Sequence, residues 1–481
     1  MSSEPELRPD HEMEGQVGAW LTDTDLTAAE AEAGLERLLD DFPVTPQVRP
    51  GLLGRLLDRD EGAGRPDDHP PRQRAPRQRL VVSATALTAV LLLVLAVGVM
   101  DLEERARVQP GTTHVVAADG TAEFDTIGAA VDAAADDDVI SILPGTYVES
   151  IVVDRDLSLI GDGPREEIVI RVPQGEVGVT SWSDETTRPY GLLLTGPSVV
   201  VSDITVEVPV GATGIAATSG SPLIERVSIV GLPHPEADFH DGHHAMGFFG
   251  QTSPTVRESE WDGYTAVRHA SALFEGNTIM RDGISIDGHG DSIVRDNTFI
   301  EQGWLNTTGA TATVEGNEFI GGGASFDVAS VVEVRGNTFR DVLGNGDQRD
   351  DTAIILDGRG TRAIVAANTV SNTNNGIELR YGAGADITGN TLETSLVGID
   401  LGWTEGVSVD GNSLTGEGAG IVLVASADAN IVGNSIDVGG RGIAIGSGAA
   451  PTVAGNQVCG ADESIYLAEG AEPELRDNEI C

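Results

Sequence analysis

The sequence contains no lysine, so all 29 of its basic residues are arginines. Schiff-base chemistry and a lysine general base are therefore excluded. Positive charge is scarce overall, because 76 Asp and Glu residues leave a formal net charge of −47 at pH 7. Polyphosphate would be repelled by a chain this acidic, which excludes nucleic acid as a partner.

Aromatic residues and long amphipathic runs are also rare in the C-terminal three quarters of the chain. Aromatics make up 4% of the sequence, whereas there are 61 glycines. Valine and isoleucine occur there in short alternating runs that Gly, Asn and Asp interrupt. Helices need longer runs with a 3.6-residue spacing, so this pattern predicts short strands joined by tight turns.

An asparagine recurs along this region at a nearly fixed period. Successive steps are 20, 20, 20 and 31 residues, and then 22 residues five times. The recurring residues are Asn277, Asn297, Asn317, Asn337, Asn368, Asn390, Asn412, Asn434, Asn456 and Asn478. Aliphatic segments such as GIEL from Gly376 and GIDL from Gly398 repeat in phase with them. Two series with one period indicate a solenoid.

The period predicts a parallel β-helix. Three short strands and three turns fill one rung of 20 to 22 residues, and equivalent residues stack ~4.8 Å apart on successive rungs. The recurring Asn is interpreted as scaffold. We expect it to adopt the left-handed conformation at a tight corner and to hydrogen-bond along a ladder of its equivalents.

One apolar run stands apart from the repeats. Residues 80–100 are 21 consecutive uncharged residues, enough to cross ~30 Å of hydrocarbon as a helix. Arginines precede this run and acidic residues follow it, so the positive-inside rule predicts a cytoplasmic N-terminus. The predicted organisation is an acidic cytoplasmic segment with short helices at 1–79, a transmembrane helix at 80–100, a linker at 101–111 and an extracytoplasmic β-helix domain at 112–481. The protein is thus expected to be a single-pass protein of the cell membrane.

Residues 114–163, with PGTY at 144–147 and LIGDG at 159–163, resemble the opening segment of the pectin lyase-like superfamily. In that superfamily a short helix, here Ile127 to Ala135, covers the first rung, whose strands would otherwise be an unpaired edge. The resemblance implies an all-β, right-handed parallel β-helix with an N-terminal capping helix. It also implies extracytoplasmic polysaccharide as the ligand class.

The resemblance transfers no catalytic residue. The characteristic strings of pectin methylesterases, polygalacturonases and pectate lyases are absent or stand in the wrong order. The later repeats are similar to the generic parallel β-helix repeats of carbohydrate-binding and sugar-hydrolase modules, and to those of NosD copper-site maturation proteins. Candidate site residues must therefore come from stacking the repeats.

Stacking the repeats in phase places Glu378 and Asp400 outward on adjacent rungs, because their aliphatic neighbours point inward. Their expected separation is one strand spacing, close to the ~5–5.5 Å that retaining glycosidases use. Arg380 lies between them and Asp357 lies on the preceding rung. These four residues are the predicted catalytic residues.

Tyr381 and Trp403 each follow one of these acids by three residues. Two stacked aromatic rings would offer a platform for the C–H faces of sugars. The 31-residue step inserts LGNGDQRDD, and Arg349, Asp350 and Asp351 of this loop are predicted to line one wall of a substrate groove.

A second long loop concentrates histidines. His240, His243 and His244 are predicted ligands for a divalent metal (Ca, Zn or Cu), with His240 and His244 one helical turn apart if the loop is helical.

The two cysteines, Cys459 and Cys481, each follow a ladder Asn by three residues and are one full rung apart. This offset predicts a disulfide in an oxidising compartment.

The predicted function is a membrane-anchored β-helix that binds polysaccharide or a cell-surface glycan in a lateral groove. If it is an enzyme, it is a polysaccharide-degrading glycosidase or lyase. Two alternatives stay open, namely a non-catalytic structural or adhesion solenoid and a NosD-like copper accessory protein. An enzyme is distinguished from the first alternative by the position of Glu378 and Asp400, which would face a cleft in an enzyme and bare solvent in a non-catalytic solenoid.

Overall fold

A computed structural model of the chain describes residues 111–174, 178–180, 187–232, 243–343, 351–404, 406–424 and 429–481. The predicted cytoplasmic segment and the predicted membrane span at 80–100 lie outside these residues. Within the described ranges, no helix is long and apolar enough to span a bilayer.

The strands form three parallel columns, which we call sheets A, B and C, and most rungs contribute one strand to each. Sheet A contains Thr113–Val116, Asp138–Ile142, Leu157–Gly161, Val200–Ser202, Leu223–Glu225, Thr255–Arg257, Leu273–Glu275, Asp291–Arg295, Thr311–Glu315, Val331–Arg335, Arg362–Ala366, Gly384–Thr388, Ser408–Asp410, Asn430–Val432, Thr452–Ala454 and Glu474–Arg476. Sheet B contains Gly145–Val148, Ile168–Arg171, Thr205–Val208, Ser228–Gly231, Glu260–Asp262, Thr278–Met280, Thr298–Ile300, Glu318–Ile320, Thr338–Arg340, Ser413–Gly416, Ser435–Val438, Gln457–Cys459 and Glu479–Ile480.

Sheet C follows sheet B along each rung. It contains Ile151–Val153, Thr187–Leu194, Thr213–Ala217, His244–Phe249, Tyr264–Arg268, Ile284–Asp287, Leu305–Thr308, Ala324–Asp327, Thr352–Asp357, Ala419–Val424, Arg441–Ile445 and Glu463–Leu467. Two longer strands, Thr369–Arg380 and Thr391–Gly402, run through both sheets B and C. The strand Gly178–Thr180 is an exception, because it pairs antiparallel with the start of Thr187–Leu194. The predicted three-strand rung is confirmed, with the B–C corner flattened in two rungs.

Inward side chains of successive rungs stack into a narrow apolar core. Phe299, Phe319 and Phe339 lie fully buried at equivalent positions of sheet B. Their ring centroids are 4.4 and 4.6 Å apart. Such stacked rings contribute about 0.5–1.5 kcal/mol per pair beyond the burial of their area. Several of the few aromatic side chains are thus part of the core.

The asparagine ladder is confirmed. Asn390 is 1% exposed, and both its backbone N–H and its Nδ2 donate to Oδ1 of Asn412 at 2.9 Å. Its Nδ2 also donates to the carbonyl of Val365 at 2.9 Å. The inter-rung bonds repeat from Asn277 to Asn478, so the ladder satisfies polar groups that the corner would otherwise leave buried and unpaired.

The predicted left-handed conformation falls on a different residue. The residue before the Asn adopts it, as in Gly389 with φ 62°, Asp296 with φ 56° and Ala367 with φ 56°. The prediction that the Asn itself is left-handed was therefore wrong. The preceding residue turns the chain, and this turn directs the following amide side chain into the corner of the coil.

The predicted capping helix is confirmed as Ile127–Ala133, two residues shorter than expected. The Thr126 side chain accepts a hydrogen bond from the N–H of Ala129 at 3.3 Å. The carboxylate of Glu149 accepts from the N–H groups of Ile127 and Gly128 at 2.9 Å each. The first-turn donors are therefore paired, and the buried Ile127 anchors the helix over the first rungs.

The predicted disulfide between Cys459 and Cys481 is present, with the two Cα atoms 4.7 Å apart. It joins the final rung to the rung before it. The strand Glu474–Arg476 of that final rung is exposed throughout. The bond therefore ties down a rung that has a neighbour on one side only within the described residues.

Candidate functional site

The outward face of sheet C carries the predicted acids. Glu378 is in register with Asp400 on the next rung, and Arg380 is in register with Asp357 on the preceding rung. Ile377 lies beside Glu378 and is buried in the core. Strand alternation therefore points Glu378, Arg380 and Asp400 outward, as predicted.

Arg380 joins two of these carboxylates. Its Nη1 lies 3.2 Å from Oε1 of Glu378, and its Nε lies 3.1 Å from Oδ2 of Asp357. The Arg380 side chain is only 15% exposed, so these ion pairs are partly shielded from solvent. Arg380 thus pairs with a carboxylate on its own rung, Glu378, and with one on the preceding rung, Asp357. Asp400 lies on the next rung.

The environment of Asp400 differs from that of Glu378. Burial raises the pKa of Asp400 to about 6, and repulsion by Glu378 adds to the increase. Arg380 opposes this effect only in part. Two neighbouring carboxylates in unlike environments are the arrangement in which one can hold a proton while the other has a cation beside it.

Tyr381 and Trp403 begin the turns that follow sheet C on these two rungs. Their rings are nearly parallel, with an interplanar angle of 2° and centroids 6.2 Å apart. The residues are 59% and 58% exposed. We call this pair the aromatic platform. On each rung its ring follows the outward acid by three residues.

Two long connections precede strands of sheet C, at the edge opposite the aromatic platform. The chain between residues 232 and 243, and between 343 and 351, runs from a strand of sheet B to a strand of sheet C. Arg349 and Asp350 lie outside the described residues. Asp351 accepts a hydrogen bond from Nδ2 of Asn374 at 3.5 Å at this edge. The strand Thr352–Asp357 separates it from the corner of the aromatic platform by ~17 Å, so Asp351 is not brought to the platform.

The predicted metal ligands are described only in part. His240 lies outside the described residues. Nε2 of His243 lies 2.7 Å from the carbonyl oxygen of Asp262, and the ring of His244 packs edge-on against Tyr264. His244 begins the strand His244–Phe249. Within the described ranges, no three His, Cys, Asp or Glu side chains are placed to hold a metal.

A second polar cluster on the same face was missed by the sequence reasoning. Arg268 and Asp287 are in register, with Arg268 Nε 3.5 Å from Asp287 Oδ2. The hydroxyl of Ser285 donates to Asp287 at 3.2 Å. His269 and His289 lie in the following turns with ring centroids 6.0 Å apart. The 20-residue step of the Asn series would have aligned His269 with His289, but not Arg268 with Asp287, which are 19 residues apart.

Comparison with known proteins identifies the fold. Residues 322–480 match the family described as the right handed beta helix region. The match covers about a third of the chain and lies within the parallel β-helix described above. No curated protein shows a significant match to this β-helix protein.

Solved structures extend the likeness to most of the chain. The periplasmic alginate epimerase AlgG is 13% identical, with 70% of this chain and 86% of that chain covered and a TM-score of 0.50. DFA-IIIase from Arthrobacter chlorophenolicus A6 without its lid is 15% identical over 77% of this chain and 98% of that chain, with a TM-score of 0.40. Pectin methylesterase from carrot is 15% identical over 55% and 84%, with a TM-score of 0.30. The β-helix protein thus resembles AlgG in its fold, and at this identity the likeness concerns the fold alone.

Proposed function

We propose that the β-helix protein binds a polysaccharide on the outward face of sheet C and hydrolyses a glycosidic bond there. One observation carries the proposal. Two exposed, nearly parallel rings follow, three residues further along the chain, two outward carboxylates in unlike environments. The fold, which is shared with an alginate epimerase, is consistent with this class of substrate but does not identify it.

The aromatic platform supplies the binding surface. Sugar rings present C–H faces that pack on aromatic faces, and Tyr381 and Trp403 offer two such faces one rung apart. A sugar chain that follows the platform along the solenoid axis passes the outward side of sheet C. Its glycosidic oxygens are thereby carried past Glu378 and Asp400.

The carboxylates supply the chemistry. Asp400, protonated below about pH 6, donates its proton to the glycosidic oxygen as the bond to the anomeric carbon breaks. Glu378 attacks that carbon and forms a glycosyl ester. Asp400, now ionised, removes a proton from water, which attacks the anomeric carbon of the glycosyl ester and displaces the Glu378 carboxylate. Retaining glycosidases hold their two carboxylates ~5–5.5 Å apart. Carboxylates on adjacent strands, as Glu378 and Asp400 are, therefore favour this retaining course.

A glycan array followed by product analysis tests the proposal. Trp403→Ala should weaken binding of the identified glycan roughly tenfold, which corresponds to ~1.4 kcal/mol. Leu396→Ala is the matched control, because Leu396 is an exposed apolar residue on the same strand as Asp400. Asp400→Asn should abolish turnover and retain binding. A wild-type protein that binds the glycan but never cleaves it would favour the adhesion alternative.

We also propose that the β-helix lies outside the cell, anchored by the span at 80–100. The disulfide supports this location, because such bonds persist in oxidising compartments. Protease added to intact cells should digest the β-helix and leave an N-terminal tag intact. If the protease instead digests the tag and leaves the β-helix intact, the topology is the opposite of the proposed one.

A further inference from the structure

We propose that the polysaccharide is anionic, and that Arg359 and Arg362 bind its charged group beside the aromatic platform. This inference rests on the proposed function of the same face. It goes further by naming the charge of the substrate and two residues that select it.

Arginines of the β-helix are generally paired with carboxylates. Arg295, for example, lies 2.7 Å from Glu275, and Arg380 contacts two acids. Arg359 and Arg362 differ, because no Asp or Glu of the described ranges lies within ion-pair distance of either. A chain with 76 acidic residues and 29 arginines has carboxylates in excess. Two neighbouring arginines that have none are therefore available to a carboxylate or sulfate from outside.

Both arginines lie at the corner of the aromatic platform. They flank the turn between the strands Thr352–Asp357 and Arg362–Ala366, and register places Arg359 beside Gly382, the residue after Tyr381. A Cβ atom at Gly382 would lie 2.8 Å from Cγ of Arg359, so the arginine stem packs directly on this glycine. Gly382 also has φ 89°, a conformation that favours glycine. The close approach of Arg359 thus depends on the absence of a side chain at residue 382.

Arg362 approaches the same glycine from the other side. Its Nη1 donates to the carbonyl of Thr361 at 2.8 Å and reaches the carbonyl of Gly382 at 3.5 Å. These carbonyls orient the guanidinium and leave its charge uncompensated. The side-chain stem of Arg359 and the guanidinium of Arg362 therefore both lie against the residue that follows the first ring of the platform.

Space for a ligand group lies next to Arg362. The in-register residue on the next rung is Gly384, and a depression of about 300 Å³ lined by Arg362, Gly384 and Gly406 opens there. Glu333 and Asp386 also line it, one outward position further along the strands. Glu333 is paired with Arg335 at 3.1 Å, which leaves Asp386 as the carboxylate that opposes an anion on this side.

Local cations matter because the protein as a whole repels anions. A net charge of −47 disfavours the approach of any polyanion at low ionic strength. A neutral glycan would need only the rings, and nothing would then be gained from two unpaired guanidinium groups beside them. An anionic sugar stacked on Tyr381 would place its charged substituent within reach of both arginines.

Three polymers with one backbone test the inference. Dextran, carboxymethyl-dextran and dextran sulfate differ in charge and in the chemistry of the anion. Binding is measured with the full protein at ~0.15 M salt, where screening limits long-range repulsion to ~8 Å. At least one charged polymer should bind roughly tenfold more tightly than dextran, and which of the two does so separates carboxylate from sulfate recognition. Equal affinities for all three, or binding of none, would overturn the inference.

Arginine variants then locate the site. Changing Arg359→Gln together with Arg362→Gln should weaken binding of the charged polymer roughly tenfold and leave dextran unchanged. Two controls, Arg257→Gln and Arg295→Gln combined, make the same change in net charge on the A–B corner, at residues that do not line the depression or pair with its carboxylates. An equal loss in the control pair would show a general charge effect and refute the site.

Failure of this inference can be told apart from failure of the proposed function. If Trp403→Ala weakens all three polymers while the arginine variants change nothing, the platform stands and the anion site is wrong. If the arginine variants weaken the charged polymer while Trp403→Ala changes nothing, the anion site stands and the platform is wrong.

Discussion

Replacing Asp400 with Asn should stabilise the protein at neutral and alkaline pH but not in acid. The pKa of Asp400 is raised to about 6 from an ordinary value of 3.8, mainly by burial. Well below pH 3.8 the carboxyl is protonated in both the folded and the unfolded chain. As pH rises through this window, the unfolded chain loses the proton first, so folding becomes less favourable.

The size of the effect follows from the pKa difference. The interval from 3.8 to about 6 corresponds to about 3 kcal/mol of lost stability above pH 6, at 1.36 kcal/mol per pH unit. Asn carries no charge and avoids this loss. The stabilisation by Asp400→Asn near pH 8 should therefore exceed that near pH 4 by about 2–3 kcal/mol. Comparing the two pH values cancels any change in packing or hydrogen bonding that does not depend on pH.

Urea unfolding of the parent and the variant, followed by circular dichroism across this pH range, measures the difference. Glu378→Gln is the companion variant. It removes only the second cause of the raised pKa, so most of the pH-dependent destabilisation should persist in it. An equal effect of Asp400→Asn at pH 4 and pH 8 would show that Asp400 is not a buried, proton-holding acid. The proposed role of Asp400 as general acid would then fail with it.

The remaining predictions concern the scaffold and the metal. Reducing the disulfide between Cys459 and Cys481 should lower protection of the last rungs by about 3 kcal/mol in hydrogen exchange; unchanged protection would show that packing alone holds them. Asn390→Ala leaves buried ladder groups unpaired and should cost about 2–4 kcal/mol in urea unfolding, and a cost near zero would contradict the ladder's role. Changing His240 and His244 to Ala together should lower the metal content of the untagged protein, and a parent protein without metal would reject that site.

Features set by a fixed offset along the chain were predictable. In a solenoid the nearest neighbour in space lies one period away in sequence, so the 22-residue spacing alone pairs Cys459 with Cys481 and Glu378 with Asp400. The same reasoning predicted the asparagine ladder. It could not assign backbone conformation, because Asn tolerates the left-handed region as Asp does, and spacing does not say which residue of the corner adopts it.

Features that cross a change of period were not predictable. The 31-residue step between Asn337 and Asn368 breaks the phase, so Arg268 and Asp287 could not be aligned with the later acids by the 22-residue rule. The pairing of charged side chains is a second feature that the sequence spacing could not predict. Spacing brings Arg380 near both Asp357 and Glu378, but only side-chain geometry shows that it contacts both, whereas Arg359 contacts neither.

Backbone conformation provides a further argument that the aromatic platform is functional. Tyr381 and Trp403 have φ values of 53° and 52°, in a region where a residue with a side chain costs about 1–3 kcal/mol, and the equivalent residue on the preceding rung is Gly358. Burial offsets little of this cost, since both residues stay more than half exposed. Glycine at these two positions would relieve the strain, yet the chain places its exposed rings there. Stability does not account for that choice, whereas the proposed binding of a flat apolar ligand face does.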